Sequence, residues 1–239
     1  MKSTVLFLFN ASDYAPAPWI ARGHHCTSVD FSDTDHSAHR DALRSTPEHE
    51  RINLDLSQED ALGALREALR SRGLEPRVAL SYCPCTNLAV SGAAHFAKKR
   101  KANERFQEEA VEMARLVEGL GIPFCVENPV SVLSTLWRKP DVVTNPASWG
   151  GYCPEGEHPE APELYPPQDA YNKKTCYWTG LGFSFPEERP VEVKDAVNPG
   201  HRALGGKSAR TKHLRSLTPR GVSEAMAVAN EHFMLEVNT

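Results

Sequence analysis

The chain has 239 residues, of which 40% are hydrophobic, so it is long enough to bury a substantial core as one large domain. Its formal net charge of −4 provides no overall basic field, so any contact with a polyanion must come from local clusters. No apolar stretch approaches the ~20 residues of a membrane span, and we expect no membrane partner.

Strand and helix patterns alternate through the first half of the chain, which favours a mostly parallel sheet with helices on both faces. The predicted strands cover residues 4–9, 25–31, 51–56, 76–82, 123–126 and 175–178. The predicted helices cover residues 16–21, 58–72, 103–120 and 218–235. Ser57 is expected to cap the second of these helices, and Gly73 follows its end.

Residues 141–206 differ in character from the rest of the chain. Prolines, glycines and acidic residues crowd the first half of this range, and long irregular segments of this kind are usually functional. No internal repeat and no linker divides the sequence. We therefore expect a single domain over 1–239, with 141–206 as an irregular insert or small subdomain that could recognise the substrate.

Six cysteines are spread along the chain without the dense spacing of a small secreted domain. The apolar run at residues 5–9 is too short for a signal peptide, so we expect a cytoplasmic protein with reduced thiols. Cys83 and Cys85 do not form a zinc knuckle, and Cys153 with His158 lacks a second spaced pair. We accordingly expect no metal site.

Two triplets carry the strongest chemical signal. Pro84-Cys85-Thr86 follows the fourth predicted strand, and Glu127-Asn128-Pro129 follows the fifth. Because open α/β sheets bind ligands beyond the carboxyl ends of their strands, we expect the thiol and the carboxyl to face each other across one cavity. Cys85 would be the nucleophile. Glu127, in a water-poor pocket, would have a raised pKa and donate a proton, with Asn128 orienting it.

The alternatives for these residues are a buried, inert thiol and a solvated loop carboxylate. Cys83 is interpreted as a packing residue, because Pro84 is expected to break the strand geometry that would place it beside Cys85.

Together with Phe7–Phe9, Pro18–His24 and Arg215–Arg220, the two triplets resemble the motifs of the cytosine-5 DNA methyltransferases, in the same order along the chain. The resemblance implies a Rossmann-like, S-adenosylmethionine-dependent fold. In that family the cysteine adds to carbon 6 of cytosine, the glutamate protonates ring nitrogen 3, and carbon 5 takes the methyl group. Residues 128–140, 169–178 and 204–220 are also similar to a compact branch of methylase-like proteins from phages and prophages.

The resemblance also implies a binding site for S-adenosylmethionine. Phe9 would pack on the adenine, Asp30 would bind the ribose hydroxyls and Asp55 would meet the adenine edge. The family's glycine-rich loop is absent, so hydrogen bonds from the side chains that replace it are expected to hold the cofactor in an altered pose. The expected cofactor-binding residues are Phe9, Asn10, Ser12, Asp13, Trp19, Asp30, Asp55 and Pro84.

Basic clusters on either side of the predicted cleft favour DNA as the partner, through phosphate contacts. The alternative for each cluster is a solvated surface. Arg215 and Arg220 are candidates for holding a flipped nucleotide. The expected substrate-binding residues are Thr86, Asn87, Ser91, Lys99, Arg100, Arg215 and Arg220.

Three functional hypotheses follow from the sequence. The first is a C5-methyltransferase that acts on cytosine in DNA through a covalent cysteine adduct. The second keeps the cysteine chemistry but changes the acceptor, to a nucleotide, RNA or a modified base, or changes the one-carbon donor. The third is a non-catalytic, nucleic-acid-binding protein with a methylase-like fold.

Overall fold

A computed structural model describes residues 1–10, 12–31, 45–205 and 208–235. The described strands form a seven-stranded sheet with the order β3-β2-β1-β4-β5-β7-β6. β7 runs antiparallel to β5 and β6, and the other neighbours are parallel. The strands are β1 Lys2–Leu8, β2 Cys26–Asp30, β3 His49–Asn53, β4 Leu74–Ser81, β5 Phe124–Pro129, β6 Val142–Thr144 and β7 Thr175–Gly180.

The first five strands have the order of a doubly wound Rossmann sheet, with the switch point between β1 and β4. The predicted α/β fold class, Rossmann-like with a mostly parallel sheet, is therefore confirmed. The described helices are α1 Ala17–Ala21, α2 Ala61–Ser71, α3 Phe96–Ala102, α4 Phe106–Arg115, α5 Leu133–Leu136, α6 Pro199–Ala203, α7 Ala209–Ser216, α8 Arg220–Asn230 and α9 His232–Leu235. Short 3-10 helices cover Val90–His95, Leu116–Leu120, Pro146–Tyr152 and Pro167–Asp169.

Hydrophobic cores lie on both faces of the sheet, because successive residues of a strand point to opposite sides. In β1, Leu6 and Leu8 belong to the core under α2 and α4, whereas Val5 and Phe7 belong to the core under α1 and α8. All four residues are 0% exposed. None of the helices in the described ranges is both long enough and apolar enough to cross a bilayer.

Three predicted boundaries near the site were wrong. β3 ends at Asn53, before Asp55. The helix expected from residue 58 begins at Ala61, and Ser57 does not cap it. Instead, the backbone N–H and the hydroxyl of Ser57 both donate to the Asp55 carboxylate. This local hydrogen bonding competes with the helix, as Ser and Asp side chains often do.

The third boundary concerns β5, which extends through Pro129 rather than ending at Val126. The antiparallel partner strand explains the extension, because Glu127 pairs with Tyr177 and Asn128 pairs with Cys176. The catalytic triplet predicted to follow the strand thus forms its last three residues. β6 and β7 both lie within residues 141–206, so part of the predicted insert belongs to the sheet.

Candidate active site

Cys85 lies just beyond the carboxyl end of β4, at a tight turn. Its carbonyl oxygen accepts hydrogen bonds from the backbone N–H groups of Leu88, at 3.0 Å, and Ala89, at 2.8 Å. Cys85 is exposed, whereas Cys83 is buried with 4% exposure. The chain therefore presents the second thiol to solvent and packs the first, as the sequence predicted.

Glu127 lies on the neighbouring strand, one residue beyond the pairing of Ser81 with Val126. Burial raises the pKa of Glu127, and the positive charge of Lys173 opposes that rise. Burial likewise raises the pKa of the Cys85 thiol, and the negative charge of Glu127 raises it further. The thiol and the carboxyl thus lie at the carboxyl ends of adjacent strands, close enough for the charge of Glu127 to act on Cys85.

Asn128 does not orient Glu127, contrary to the prediction. Its side-chain amide donates to the carbonyl oxygen of Cys83 at 3.1 Å and to the Cys83 sulfur at 3.3 Å. Asn128 is 0% exposed, so these bonds are protected from water. Asn128 therefore ties β5 to the segment that carries Pro84 and Cys85, and acts on the nucleophile's position rather than on the acid.

Lys99 and Arg100 are also held by contacts within the protein. The Lys99 ammonium donates to the carbonyl oxygen of Thr86 at 2.6 Å and to Asn87 Oδ1 at 2.9 Å. Arg100 donates to Gln107 Oε1 at 2.8 Å. Lys99 consequently braces the loop behind the nucleophile.

Other side chains around that loop remain open to solvent. Pro84, Thr86 and Ser91 are exposed, as are Lys98 and Lys101 on α3. Their use by substrate stays a prediction.

The two predicted arginines lie in different surroundings. The charge of Arg215 opposes the rise in the pKa of Cys85, and its guanidinium lies 3.2 Å from His201 Nδ1. Arg220 instead donates to the carbonyl oxygens of Glu157, at 3.3 Å, and Gly156, at 3.4 Å. Of the two arginines, Arg215 is thus close enough for its charge to act on Cys85, whereas Arg220 is bound to the segment at Gly156 and Glu157.

Lys173 and His201 are the site residues that sequence reasoning missed. The charge of Lys173 lowers the pKa values of both Cys85 and Glu127, and it also acts on His201. Lys173 precedes β7, and β7 begins where its antiparallel partner β5 ends. The sequence does show a cation just before the strand predicted at residues 175–178. Only the antiparallel direction of that strand places the cation beside the carboxyl end of β5.

The loop after β1 occupies the place of the absent glycine-rich turn. Phe9 has a φ of 54°, in the left-handed region that glycine usually fills. The chain therefore makes this turn without glycine. Asn10, with 4% exposure, donates to the Ser12 carbonyl oxygen at 2.9 Å and to Ser28 Oγ at 3.1 Å. Ser12 Oγ in turn lies 3.4 Å from Asn10 Oδ1.

Asp13 ends this loop with an ion pair. It contacts Arg51, and its Oδ1 lies 3.4 Å from His49 Nδ1. Burial tends to raise the pKa of Asp13, but His49 and Arg51 outweigh burial and hold it below its ordinary value. In this structure the polar side chains of Asn10, Ser12 and Asp13 are thus bonded to the protein itself.

Two further carboxylates lie at the ends of neighbouring strands. Asp30 ends β2, where its Oδ1 accepts from the Phe31 N–H at 2.8 Å. Asp55 follows β3, and hydrogen bonds from the Ser57 hydroxyl and N–H lower its pKa despite some burial. These acids and the turn at Phe9 are compatible with a ligand that carries hydroxyl and amino donors, as S-adenosylmethionine does.

Trp19, in contrast, is a core residue. It is 0% exposed and packs in the core that contains Val5 and Val222, so the structure does not place it on a ligand surface. As for metals, the described residues include no group of three or more His, Cys, Asp or Glu side chains that could hold an ion.

No family model and no curated protein matches this chain. Among solved structures, the chain is similar to a mutant of DNMT2 from Spodoptera frugiperda, with a TM-score of 0.40 and 12% sequence identity. The match covers 82% of this chain and 55% of that chain. The chain thus spans a little over half the length of that structure.

Proposed function

We propose that this protein is a pyrimidine C5-methyltransferase that acts on cytosine in DNA, with Cys85 as the nucleophile and Glu127 as the proton donor. One observation carries the proposal. An exposed thiol and a carboxyl with a raised pKa lie at the ends of adjacent strands, at the ligand-binding edge of a Rossmann-like sheet.

The chemistry requires both groups. Carbon 5 of cytosine is a weak nucleophile until a thiolate adds to carbon 6, and that addition places electron density on the ring. A proton delivered to nitrogen 3 accepts this density and leaves carbon 5 electron-rich. S-adenosylmethionine would supply the methyl group. Loss of the proton from carbon 5 then expels the thiolate and restores the aromatic ring.

The electrostatics of the site suit this sequence of events. Because its pKa is raised, Glu127 retains its proton nearer to neutral pH, as a general acid must. When Glu127 is protonated, the negative charge that raises the pKa of Cys85 disappears. The charges of Lys173 and Arg215 remain and favour the thiolate. Protonation of the acid therefore assists ionisation of the nucleophile.

The first test is covalent trapping on DNA that contains 5-fluorocytosine, where fluorine blocks the final elimination. Wild-type protein should form an adduct that survives denaturing electrophoresis, and Cys85→Ser should form none. In a separate experiment, sequencing of bisulfite-treated DNA from cells that express the protein would identify the target site.

Cys153→Ser is the matched control, since Cys153 is a partly buried thiol near Asp169 rather than Glu127. This variant should trap DNA like the wild type. Methyl transfer by the Cys85→Ser protein at the wild-type rate would refute the proposal.

A second candidate function keeps the cysteine adduct but changes the acceptor or the one-carbon donor. The loop after β1 favours it, because Asn10 and Ser12 already satisfy each other there. Isothermal titration with S-adenosylmethionine distinguishes the two functions. Binding that is lost in Asp30→Ala supports the first, and no heat at millimolar ligand supports the second.

A further inference from the structure

We call Lys173, His201 and Arg215 the cation group. Lys173 lies two residues before Thr175, which pairs with Pro129 at the carboxyl end of β5. Arg215 Nη2 lies 3.2 Å from both ring nitrogens of His201. The charges of Lys173 and Arg215 act on Cys85 and also on His201. Lys173 and Arg215 thus supply positive charge near Cys85, whereas burial and these two charges lower the pKa of His201 and favour its neutral imidazole.

A set of backbone and ionic contacts holds His201 there. The carbonyl oxygen of Ala170 accepts from the N–H groups of Lys194, at 2.8 Å, and Asp195, at 3.2 Å. The Asp195 carboxylate then forms a two-pronged ion pair with Arg202 of α6, at 2.9 and 2.7 Å. Since His201 is the residue before Arg202, this chain of contacts ties α6 to the segment that leads into Lys173.

Close packing of α6 against α7 positions Arg215. The hydroxyl of Tyr165 donates to the carbonyl oxygen of Leu214 at 2.6 Å, which fixes the end of α7. A Cβ atom on Gly200 would lie 2.9 Å from the Tyr165 hydroxyl and 3.4 Å from Arg215 Cγ. Glycine at this position therefore allows His201 and Arg215 to touch.

The cation group lacks a carboxylate partner. Within the described ranges, none of its three members forms an ion pair with Asp or Glu at 4.0 Å or less, whereas the neighbouring residues Arg202 and His213 both do. Glu127 is the carboxyl on which the charge of Lys173 acts, and burial raises its pKa. The positive charge beside Cys85 is thus left for an anion to neutralise.

We infer that the cation group binds a phosphate of the target nucleotide and so holds the pyrimidine over Cys85. The inference rests on the proposed function, in which the substrate is a nucleotide. A guanidinium and an imidazole offer directed N–H donors for phosphate oxygens, and an ammonium adds a point charge. The phosphate is either a monoester, as in a free nucleotide, or a diester within a strand.

Protection of Cys85 from iodoacetamide tests the inference without any need for turnover. Labelling is followed by mass spectrometry at fixed pH, with inorganic phosphate, deoxycytidine 5′-monophosphate, deoxycytidine or a short single-stranded oligonucleotide as probes. A bound phosphate places negative charge beside the thiol and raises its pKa, so labelling should slow by about tenfold at saturation. Deoxycytidine at equal concentration should protect much less. Protection by the monophosphate alone indicates a monoester site, and protection by the oligonucleotide indicates that a diester is accepted.

Variants distinguish phosphate binding at the cation group from a general effect of surface charge on the labelling of Cys85. In His201→Ala and Arg215→Met, protection by phosphate should largely disappear, measured as the ratio of labelling rates with and without phosphate. Lys212→Ala, which removes an exposed cation of α7, should keep wild-type protection. Cys153 reports on unrelated changes, because phosphate should not alter its labelling.

Equal protection in wild type and both variants would overturn the inference, and so would no protection by any phosphate probe. In the latter case the cations would act on the thiol alone. Trapping of 5-fluorocytosine DNA without phosphate protection would leave the proposed function standing. Phosphate protection without an adduct would support the phosphate site and count against the proposed function.

Discussion

At the scale of single residues, the site is a set of coupled charges. Glu127 opposes ionisation of Cys85, whereas Lys173 and Arg215 favour it, and burial and Glu127 prevail in the free protein. Protonation of Glu127 would remove its contribution to the raised pKa of the Cys85 thiol. Such pairs of groups with displaced pKa values are typical of sites that perform acid–base chemistry.

This balance predicts the pH dependence of Cys85 alkylation. In the wild type, the rate should reach its half-maximum above the ordinary cysteine value of ~8.5. Glu127→Gln removes the negative charge, so the midpoint should move to lower pH. Alkylation rates from pH 6 to 10, followed on the Cys85 peptide, measure the shift. An unchanged midpoint in Glu127→Gln would contradict the contact between the two groups.

At the scale of secondary-structure elements, a contact at the start of α8 joins this helix to the segment after β6. The Asp169 carboxylate accepts from the Gly221 N–H at 2.9 Å, which satisfies a helix N–H that the Pro219 side chain cannot. Asp169 is 1% exposed and has a φ of 48°, so the backbone accepts strain to deliver this contact. Arg220, at the same helix start, donates to the carbonyl oxygens of Glu157 and Gly156, and its use by a nucleotide stays a prediction.

Gly221→Ala tests the junction. In an ordinary helix the change would stabilise by up to ~1 kcal/mol. Here the new Cβ would lie 2.5 Å from the carbonyl oxygen of Trp149, which is backbone and cannot rotate away. We expect the free energy of unfolding to fall by about 2 kcal/mol, in the range of overpacked cores.

Urea unfolding measures the effect. Gly205→Ala is the matched control, because a Cβ on Gly205 meets nothing within 4 Å. A Gly221→Ala protein as stable as the wild type would show that α8 and the 3-10 helix at Pro146–Tyr152 are less closely packed than described.

At the scale of the whole molecule, the net charge of −4 means that attraction to DNA depends on where the cations lie. α3 carries four consecutive basic residues, and they differ in their contacts with the rest of the protein. Lys99 and Arg100 bond to the protein, whereas Lys98 and Lys101 are exposed. The exposed pair is therefore better placed to contact phosphates.

We predict that DNA binding weakens steeply with salt and that Lys98→Ala with Lys101→Ala flattens this dependence. Each phosphate contact contributes about 0.9 to the slope of log affinity against log salt concentration. Losing both should reduce the slope by up to ~1.8. Fluorescence anisotropy at several salt concentrations measures it.

Lys99→Ala is the comparison for this prediction. It should leave the slope nearly unchanged and instead loosen the loop at Thr86. A slope that falls equally in Lys99→Ala would contradict the division of α3 into bracing and exposed cations.

The sequence by itself placed Cys85 and Glu127 near the carboxyl ends of the two central strands, although β5 continues to Pro129. Apolar runs followed by Pro84 and Pro129 placed Cys85 and Glu127 at the sheet edge, and burial periodicity predicted the helices over both faces. These inferences succeeded because hydrophobic alternation and proline act within a few residues of chain. The family resemblance, in contrast, implied that Trp19 binds the cofactor, but its side chain fills the core.

Only the tertiary structure decided which distant residues meet at the site. The charge of Lys173 acts on Cys85 because β7 runs antiparallel to β5, and the ion pair of Asp195 with Arg202 positions the neighbouring His201. Strand order and direction arise from packing across the entire sheet, and no window of sequence encodes them. The predicted nucleophile and acid could thus be read from local pattern, whereas the charges that act on them depend on the completed fold.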